Sequence, residues 1–387
     1  MKTIAVIFGG QSTEHDVSII TALSSIIQPL SLTKKYKVEA VYISKSGAWY
    51  WGDEFKNIEL YRHGKLDALL HKQQPASVQF DGGMTLIKAS GLAGRKLSRR
   101  VDMVFPAMHG TYGEDGSLMG LLRMAGVPFV GCDITPSVIA MDKVLAKQIA
   151  ETNDIPVTKY EYVYRDTLER DSQIVINGLE KSLSYPLFVK PAHLGSSIGI
   201  TRAVDRASLQ NALEVAGHYD EKIIVEEAVE HPIEVTLPIM GNRHDQLRVA
   251  LLERPLKTAA DFFDFDSKYL QEGKQKGSAK GAQGYSELPA QLDPALYKQA
   301  EAVATRAYRV LDCNGLARVD LLIDSQSKTV YFNEINPLPG DLYAHNWRAA
   351  GVSKVELVES LVQLAQNYWD NQRRKTTTFQ TNYLQQF

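Results

Sequence analysis

The start of the chain constrains the fold most strongly, because a strand, a helix and a second strand follow one another. An apolar run at residues 4–8 (IAVIF) precedes Gly9-Gly10, a polar stretch, the helical segment VSIITALSSII and the apolar run KVEAVYIS. Strands that alternate with helices build a parallel sheet. The sequence therefore predicts an α/β first domain with a glycine turn after its first strand.

Composition limits the class of protein. The chain has 387 residues, of which 44% are hydrophobic and 23% charged, as in soluble globular proteins. At roughly 100–200 residues per domain, this length predicts two or three domains. The net charge of −2 argues against nucleic acid as a partner, because no excess of positive charge attracts phosphate backbones.

Cysteine content and hydropathy indicate the compartment. Cys132 and Cys313 are too few for a disulfide framework and lack a CxxC spacing, which fits a reducing compartment. The apolar run near the N-terminus is shorter than the core of a signal peptide, and we find no run of the ~18 apolar residues that span a membrane. We therefore expect a cytoplasmic protein with no membrane partner.

Two helix starts and one loop are predicted farther along the chain. Thr135 and Pro136 are suited to the N-cap and first position of one helix through PSVIAMDKVLAKQIAET. Ser353, with Glu356 three residues later, predicts the start of the last helix. Residues 257–287 are rich in Lys, Gly and Gln without clear periodicity, and predict a mobile surface loop.

A β-hairpin is predicted where LARVDLLI and TVYFNEI flank the turn DSQSK. Alternate residues of a strand share a face, so Arg318 lies with Asp320, and Glu334 lies with Asn336. If the strands pair, two carboxylates and an amide oxygen converge, which suits a hard cation such as Mg²⁺. A solvated polar face is the alternative. The apolar flanks and the turn PLPG after Asn336 favour the metal site.

A lysine followed by a loop of small residues forms a second candidate site. Lys190 ends an apolar strand and precedes Gly195-Ser196-Ser197-Ile198-Gly199. Backbone N–H groups and hydroxyls of such a loop can surround phosphate oxygens while the lysine offsets their charge. The loop lacks the Walker A spacing, so a simple turn is the alternative. Taken singly, Lys143 in a helix and Glu226-Glu227 at a strand end also fit solvated positions.

Polar residues follow the first strand, where α/β proteins bind ligands. In GGQSTEHDVS, Glu14 can pair with a ligand ammonium group, although helix capping by the Ser, Thr or Asp residues explains the same segment. In HGTYGEDG, three glycines alternate with His109 and two acids, and a turn needs the glycines alone. Neither segment by itself decides between a binding site and a turn.

Taken together and in this order, five motifs resemble the D-alanine:D-alanine ligase family of the ATP-grasp superfamily. They are GGQSTEHDVS, HGTYGEDG, MDK, VKPAHLGSSIGI, and RVD with NEINPLPG, and the resemblance extends from Lys2 to about Trp369. It implies a three-domain α/β ATP-grasp fold with an N-terminal parallel-sheet domain and with ATP between the second and third domains. The expected units are 1–131, the central subdomain 132–226, the C-terminal subdomain 227–372 and a polar tail 373–387.

The resemblance also implies ligands for individual residues, all numbered in this sequence. The residues that resemble the family's ATP-phosphate contacts are Lys143, Lys190, Ser197 and Lys268. The segment that resembles its adenine site is Glu226, Glu227, Ala228 and Val229. The residues that resemble its Mg²⁺ (or Mn²⁺) ligands are Asp320, Glu334 and Asn336.

The mechanism that the resemblance implies has two chemical steps. ATP phosphorylates the carboxylate of a first D-amino acid, because a carboxylate is unreactive towards amines and an acyl phosphate is not. The amine of a second substrate then attacks the activated carbonyl. Arg318, which stays charged, and the Gly340 N–H stabilise the developing oxyanion.

Substrate contacts follow from the same resemblance. Glu14 holds the first ammonium group, with His109 close by, while Ser196 and Tyr269 orient Glu14 and fasten the closed loop. The expected partners are D-alanine and a second small-molecule acceptor, and dimers are usual in the family, so we expect a homodimer. Tyr269 favours a dipeptide product over a depsipeptide.

Two segments depart from the family pattern. Glu234, in HPIE, takes the place of the usual acid that holds the ribose hydroxyls, in a segment that is one residue shorter. After Gly340 the chain continues DLYAHNW, which is shortened and lacks the serine that helps bind the second substrate's carboxylate. We expect His345, Asn346 or Lys268 to replace that serine.

Three functions remain open from the sequence. The leading one is an ATP-dependent ligase that makes a D-alanyl-D-alanine dipeptide for cell-wall peptidoglycan. The second keeps the activation step but uses a D-hydroxy acid, another D-amino acid or an amine as the acceptor. The third, a nucleotide-binding regulatory protein without catalysis, is disfavoured by the retained acids, arginine and lysines.

Overall fold

Three four-stranded sheets follow one another along the chain, and a three-stranded and a two-stranded sheet accompany them. The computed structural model describes residues 1–90, 95–243, 245–256, 286–378 and 381–386. Helices separate or flank the sheets throughout this described part. The α/β class predicted from the sequence is therefore confirmed.

Seven strands form two sheets in the first unit: β1 (Lys2–Gly9), β2 (Tyr36–Ile43), β3 (Trp49–Trp51), β4 (Ser77–Phe80), β5 (Met84–Ser90), β6 (Arg95–Val101) and β7 (Met103–Pro106). In the order β3-β2-β1-β7, β1 is parallel to both β2 and β7. β4, β5 and β6 form an antiparallel sheet. The parallel pairing places the turn after β1 at the carboxyl edge of the sheet, as the sequence predicted.

The first helical stretch packs into this unit. It comprises α1 (His15–Ile20), a π-helical segment (Thr21–Ile27) and α2 (Gln28–Thr33). By length and hydropathy alone, residues 15–33 could span a membrane, but 61% of the apolar window is buried inside the protein. A core helix of a soluble protein has the same properties. Two further helices of the unit are α3 (Lys65–Leu70) and α4 (Ser117–Met124).

The helix predicted from Pro136 through residue 152 is interrupted. The structure has α5 (Ile134–Met141) and α6 (Lys143–Thr152), with Asp142 in an extended conformation between them. Asp142 accepts hydrogen bonds from the Val144 and Leu145 N–H groups and so caps α6. The expected N-cap at Thr135 is also wrong, since Asp133 caps α5 through its bond to the Ile134 N–H.

The central unit contains an antiparallel sheet in the order β10-β9-β11-β8. Hydrophobic residues of α8 and α9 pack with the alternate residues Val189 and Val225 on one face. The other face, which α8 and α9 do not cover, carries the charged residues Lys190, Lys222 and Glu226. The elements are β8 (Tyr160–Tyr164), α7 (Arg165–Arg170), α8 (Ser172–Ser182), β9 (Leu187–Pro191), β10 (Thr201–Ala203), α9 (Arg206–Tyr219) and β11 (Lys222–Glu227).

The third sheet is antiparallel in the order β13-β12-β16-β17. Helix α10 packs over it, and Asp293 caps this helix by accepting from the Ala295 N–H. The elements are β12 (Pro232–Gly241), β13 (Arg248–Val249), β14 (Arg254–Pro255), β15 (Ser286–Glu287), α10 (Pro294–Val310), β16 (Gly315–Asp324) and β17 (Val330–Asn336). Of the predicted loop at 257–287, residues 257–285 lie outside the described part, and Ser286–Glu287 forms β15.

The C-terminal segment returns to the first unit. It contains α11 (Ala344–Ala349) and α12 (Lys354–Gln372), and the predicted cap of α12 is confirmed because Ser353 accepts from the Glu356 N–H. Trp347, Leu357 and Leu361 share one buried cluster with Val6 and Phe8 of β1. This core contains residues from two of the predicted units, 1–131 and 227–372. The boundaries of the units stay a prediction.

The start of β16 gives a test of backbone fit. Gly315 has φ +73°, and a Cβ there would lie 3.0 Å from the Gly131 Cα. Asn314 holds that backbone in place by donating to the Gly131 carbonyl over 2.9 Å. We expect Gly315→Ala to lower the free energy of unfolding by more than about 1 kcal/mol, because of positive φ and backbone crowding.

Gly178 is the matched control, because it lies within α8 and a Cβ there meets no atom within 4 Å. Gly178→Ala is expected to leave stability unchanged or raise it by about 0.5–1 kcal/mol, since Ala favours helices. Urea unfolding followed by circular dichroism measures both variants. Equal stability of the two variants would contradict the account of Gly315.

Candidate active site

The predicted hairpin forms with the predicted face. Arg318 pairs with Asn336, and Asp320 pairs with Glu334, across β16 and β17. The register shifts after Asp320, where a β-bulge re-aims the strand. Because cross-strand partners share a face, the arginine and the three oxygen-bearing side chains lie on one side of the sheet. This confirms the strand pairing on which the metal hypothesis rests.

Arg318 holds Asp320 in a bidentate pair. Its Nε and Nη2 lie 2.8 and 2.6 Å from the two carboxylate oxygens. Burial acts to lower the pKa of Arg318, but Asp320 outweighs it and raises the pKa above the ordinary value. The guanidinium also lies 5.3 Å from the centre of the Tyr343 ring. Arg318 is therefore a fixed, permanently charged group at the centre of the site.

The oxygen donors suit a hard cation by their chemistry. In this conformation Asp320 is held by Arg318, and Glu334 lies 3.6 Å from the Lys143 amine. The Asn336 side-chain oxygen accepts from the Leu338 N–H over 2.9 Å. Across the described ranges no cluster of three His, Cys, Asp or Glu residues has metal-binding geometry. Two carboxylates and an amide oxygen on one face still fit Mg²⁺, provided that Asp320 turns away from Arg318.

A buried cluster of charged side chains lies on the face of the central sheet that α8 and α9 do not cover. Glu226, which is 2% exposed, has one oxygen 3.0 Å from the Lys147 amine and the other 2.6 Å from the Lys190 amine. Burial acts to raise the pKa of Glu226, but the two lysines outweigh it and lower the pKa to about 2. The carboxylate therefore stays ionised and holds both lysines in place.

Lys143 is the first residue of α6 and points toward the loop after β9. Its backbone N–H donates to the Ala192 carbonyl over 3.1 Å, and its amine donates to the Leu194 carbonyl over 2.5 Å. Ser196 and Ser197 in this loop have left-handed φ values of 54° and 59°. Such a loop can direct backbone N–H groups toward an anion.

The segment after β11 connects the central and third sheets. Glu227 accepts from the Ser184 N–H over 2.9 Å, and the Ala228 N–H donates to the Pro186 carbonyl over 2.9 Å. Val229 is partly exposed. Glu234 lies on β12 opposite Leu322 and contributes to the charge around Lys190. The residues assigned to adenine and ribose thus lie next to the lysine cluster.

Glu14, at the start of α1, reaches the loop of the central unit. The Ser196 hydroxyl donates to its carboxylate. Burial raises the pKa of Glu14, and the nearby Glu114 carboxylate adds to the shift. Glu114 is 4% exposed, and one of its oxygens has no hydrogen-bond partner. A buried carboxylate and a half-buried one near each other form a negative pocket that suits a ligand cation.

His109 connects this pocket to the last motif. Its Nε2 lies 3.0 Å from the Thr21 hydroxyl, which also accepts from the Asp341 N–H over 2.9 Å. Its Nδ1 lies 3.9 Å from Glu114. Gly340 immediately precedes this contact and lies near α1. The first helical stretch therefore brings His109, Glu14 and the Gly340 backbone together.

The shortened segment after Gly340 makes a left-handed turn. Asp341, Leu342 and Tyr343 have φ values of 51°, 53° and 53°, a conformation that costs roughly 1–2 kcal/mol per non-glycine residue. The Asp341 carboxylate accepts from the Ser24 and Ser25 hydroxyls and lies 3.3 Å from the Lys354 amine. These contacts hold the turn against the first helical stretch.

The two residues expected to bind a second substrate differ in accessibility. His345 is partly exposed, its ring lies tilted against that of Tyr343 with ring centres 4.6 Å apart, and it lies 2.8 Å from the Glu253 carboxylate. Asn346 is fully buried, and its amide bonds both to the backbone of Leu251 and to Glu253. Asn346 therefore has a packing role, and its assignment to the substrate carboxylate is not supported by its position.

Lys268 and Tyr269 lie outside the described residues. Several residues of the site were not identified from the sequence. Lys147 was detectable, because it follows Lys143 by four residues and so shares its helix face. Residues whose position depends on distant strands gave no sequence signal: Thr21, Lys222 and Glu253. Glu114 is one of the two acids in HGTYGEDG, but the sequence did not assign it a role.

Comparisons with known proteins identify the family of this chain. The family model described as D-ala D-ala ligase N-terminus matches residues 3–132, and the one described as D-ala D-ala ligase C-terminus matches residues 149–363. A D-alanine--D-alanine ligase of Acetivibrio thermocellus is 36% identical over 384 residues, covering 96% of this chain and 97% of that protein. One from Heliobacterium modesticaldum is also 36% identical, over 97% of this chain and 98% of that protein.

Solved structures of similar proteins have the same fold. The D-alanine-D-alanine ligase from Coxiella burnetii superposes with a TM-score of 0.77 at 27% identity, over 96% of each chain. The VanG D-Ala:D-Ser ligase from Enterococcus faecalis superposes with a TM-score of 0.77 at 31% identity, over 94% of this chain and 99% of that chain. With both family models matched and relatives above 30% identity over nearly its whole length, the chain belongs to the D-alanine–D-alanine ligase family of ATP-dependent ligases.

Proposed function

We propose that this protein uses ATP to join D-alanine to a second D-alanine, forming a dipeptide for peptidoglycan through an acyl phosphate. The observation that carries the proposal is the register of the hairpin, which places Arg318, Asp320 and Glu334 on one face. Lys143 lies 3.6 Å from Glu334 and brings a phosphate-binding group to the same face. Family membership supplies the reaction to which these groups are suited.

The donor D-alanine binds through its ammonium group. Glu14 and Glu114 form a pocket of negative charge, and an ammonium ion relieves their repulsion. Ser196 orients Glu14, and His109 borders the pocket. With the ammonium held there, the donor carboxylate extends toward Arg318, whose charge already acts on Glu14.

ATP binds between the central and third sheets. Lys143, Lys190 and the loop hydroxyl of Ser197 contact its phosphates, and residues 226–229 receive adenine next to the lysine cluster. Glu226 keeps Lys190 charged and positioned. Glu234 holds the ribose. Because the lysines are already paired and buried, they need little reorganisation when the triphosphate arrives.

Asp320, Glu334 and Asn336 are the residues that would hold Mg²⁺ or Mn²⁺. The ion, when bound, neutralises charge on the transferring phosphoryl group. Arg318 and the Gly340 N–H stabilise the oxyanion that develops when the acceptor amine attacks the acyl phosphate. Arg318 is suited to this role because its guanidinium stays charged and lies against the Tyr343 ring, 5.3 Å from the ring centre.

The acceptor binds on the side of Arg318 that faces Tyr343 and His345. The side chains on this side differ from those of the donor pocket: an aromatic ring and a histidine lie here, whereas two acids line the donor pocket. A second candidate acceptor is D-serine, because the similar VanG structure is that of a D-Ala:D-Ser ligase. We further propose that the protein is a cytoplasmic homodimer, which rests on family membership.

A phosphate-release screen tests the proposed function. Purified protein with ATP and Mg²⁺ is given D-alanine alone, and then D-alanine paired with D-serine, D-lactate or simple amines, and the products are identified by mass. Release of phosphate with formation of D-alanyl-D-alanine supports the proposal. Nucleotide binding without phosphate release under any of these conditions would leave a regulatory protein as the better explanation.

Removing a proposed metal ligand should abolish turnover. Asp320→Asn or Glu334→Gln is expected to lower ADP formation by about 100-fold or more, because stabilisation of the phosphoryl charge is lost. Asp324→Asn is the matched control at the turn of the same hairpin, where Asp324 bonds to exposed backbone N–H groups. Full activity of an Asp320→Asn protein with unchanged circular dichroism would remove the metal assignment.

Donor binding should depend on ionisation of Glu14. Its pKa is raised by burial and by Glu114, so protonation on the acid side of neutrality removes the group that pairs with the ammonium ion. The kcat/KM for D-alanine should fall as the pH falls, with an apparent pKa above the ordinary glutamate value.

Glu14→Gln should lower this kcat/KM by about 30-fold or more and flatten the acid limb, since a buried charge pair is lost. Asp16→Asn is the control, because the Asp16 side chain is exposed. A Glu14→Gln protein that retains the acid limb of the parent would show that another group titrates.

The acceptor segment predicts separate effects at neighbouring positions. His345→Ala should raise the apparent KM for the acceptor about 10-fold and change the donor KM less, because a hydrogen-bonding group is removed. Asn346→Ala should instead lower the thermal midpoint, because it leaves the Leu251 N–H and carbonyl without their Asn346 partners and removes one hydrogen bond to Glu253. Initial-rate kinetics that separate the two D-alanine sites measure the first effect, and equal changes at both sites would contradict it.

A further inference from the structure

His193 is the residue at which the loop after β9 leaves the central sheet. Its backbone N–H donates to Asp220 over 2.7 Å, and its Nδ1 lies 3.0 Å from the same carboxylate. Its Nε2 lies 3.4 Å from Asp142. One imidazole ring thus joins a residue at the end of α9 to the residue that caps α6.

Asp142 is itself held by several groups. One oxygen accepts from the Val144 and Leu145 N–H groups, and the other lies 2.7 Å from the Lys222 amine. Its position therefore fixes the first turn of α6. Lys143 follows Asp142 directly and bonds to Ala192 and Leu194 on either side of His193. The start of α6 and the start of the loop are therefore fastened as one unit.

This unit carries the groups that the proposed function assigns to phosphate. Lys143 and the loop 195–199 must face the same anion, although one begins a helix and the other follows a strand. The Lys143 N–H and the Lys143 amine link them through bonds to two carbonyls of the loop, and the His193 side chain links them from the loop through Asp142. A shift of about 1 Å between such groups is enough to weaken a multidentate phosphate site.

We propose that His193 is a positioning residue for the nucleotide, and that its imidazolium form bridges Asp142 and Asp220 to keep Lys143 and the loop 195–199 in register. The inference rests on the proposed nucleotide site and extends it to a residue that does not touch the phosphates. His193 acts through Asp142 and through the backbone of the loop. Nucleotide affinity then depends on the charge of a histidine.

The surrounding charges favour the imidazolium form. Asp142 and Asp220 face the ring from the α6 cap and from the end of α9, and Lys222 of β11 approaches Asp142 from the other side. Two carboxylates, one ammonium and one imidazolium balance, whereas a neutral imidazole leaves an excess negative charge. Hydrogen bonds to Asp142 and then Asp220 raise the pKa of His193 from 6.5 to about 9.

The sign of the pH dependence follows from that shift. Because the folded pKa is above the unfolded value, the stabilising bridge is complete below about pH 6.5 and is lost as the pH rises through about 9. The protein therefore keeps the bridge near neutrality. Above about pH 9, Asp142 still caps α6 through the Val144 and Leu145 N–H groups, so the helix persists while the loop is released.

The test measures ADP–Mg²⁺ binding by titration calorimetry without amino acid, because the amino acid's own ammonium group titrates in the alkaline range. The parent protein, His193→Gln and His193→Arg are compared between about pH 8 and about pH 10. His218→Gln is the matched control, since His218 is an exposed histidine of α9 in the same unit. Thermal midpoints at each pH verify that every variant is folded.

For the parent, the Kd is expected to rise about 10-fold as the pH passes through about 9, following loss of charged hydrogen bonds. His193→Gln should bind about 10-fold more weakly at pH 8 with a flat profile, and His193→Arg should bind like the parent at pH 8 and stay flat. An alkaline loss that persists in His193→Arg, or parent-like binding by His193→Gln, would overturn the inference. A parent protein that does not bind ADP at all would instead remove the proposed function.

Discussion

Positive charge held away from water is the constraint on which this site depends. Lys143, Lys147, Lys190 and Arg318 converge on one region, and each is paired with a carboxylate: Glu334, Glu226, Glu226 again and Asp320. A buried ammonium or guanidinium group without such a partner would lose several kcal/mol of solvation. The same acids that neutralise these cations therefore stabilise the site before any substrate binds.

Hydrogen bonds between separate parts of the chain bring those parts together at one site. Glu14 belongs to the first unit and Ser196 to the central one, and their hydrogen bond crosses between them. Thr21 similarly bonds to the backbone after Gly340. The buried cluster that joins Trp347 and Leu357 to β1 supplies the packing that these polar contacts need, because hydrophobic burial is non-directional and the hydrogen bonds then select one arrangement.

Local sequence patterns predicted the elements that carry the chemistry. Period-two alternation was sufficient to place Arg318 with Asp320 and Glu334 with Asn336, whereas the pairing of the two strands in the structure brings Asp320 opposite Glu334. Helix starts were less predictable. Thr135-Pro136 matched a helix signal, yet Asp133 caps α5 and Asp142 breaks the segment. The break depends on Lys222 and His193, which lie far along the chain and stabilise an extended Asp142.

The sequence by itself determined the α/β class, the two strands and the turn of the hairpin, and the residue types available for a phosphate and metal site, because these follow from periodicity and side-chain chemistry. Only the tertiary structure decided which charges face one another. It buried Asn346 beside Glu253 while leaving His345 partly exposed, and it placed Lys147 and Lys190 on the two oxygens of Glu226. Such choices depend on distances between strands that are remote in sequence, and a one-dimensional pattern contains no information about those distances.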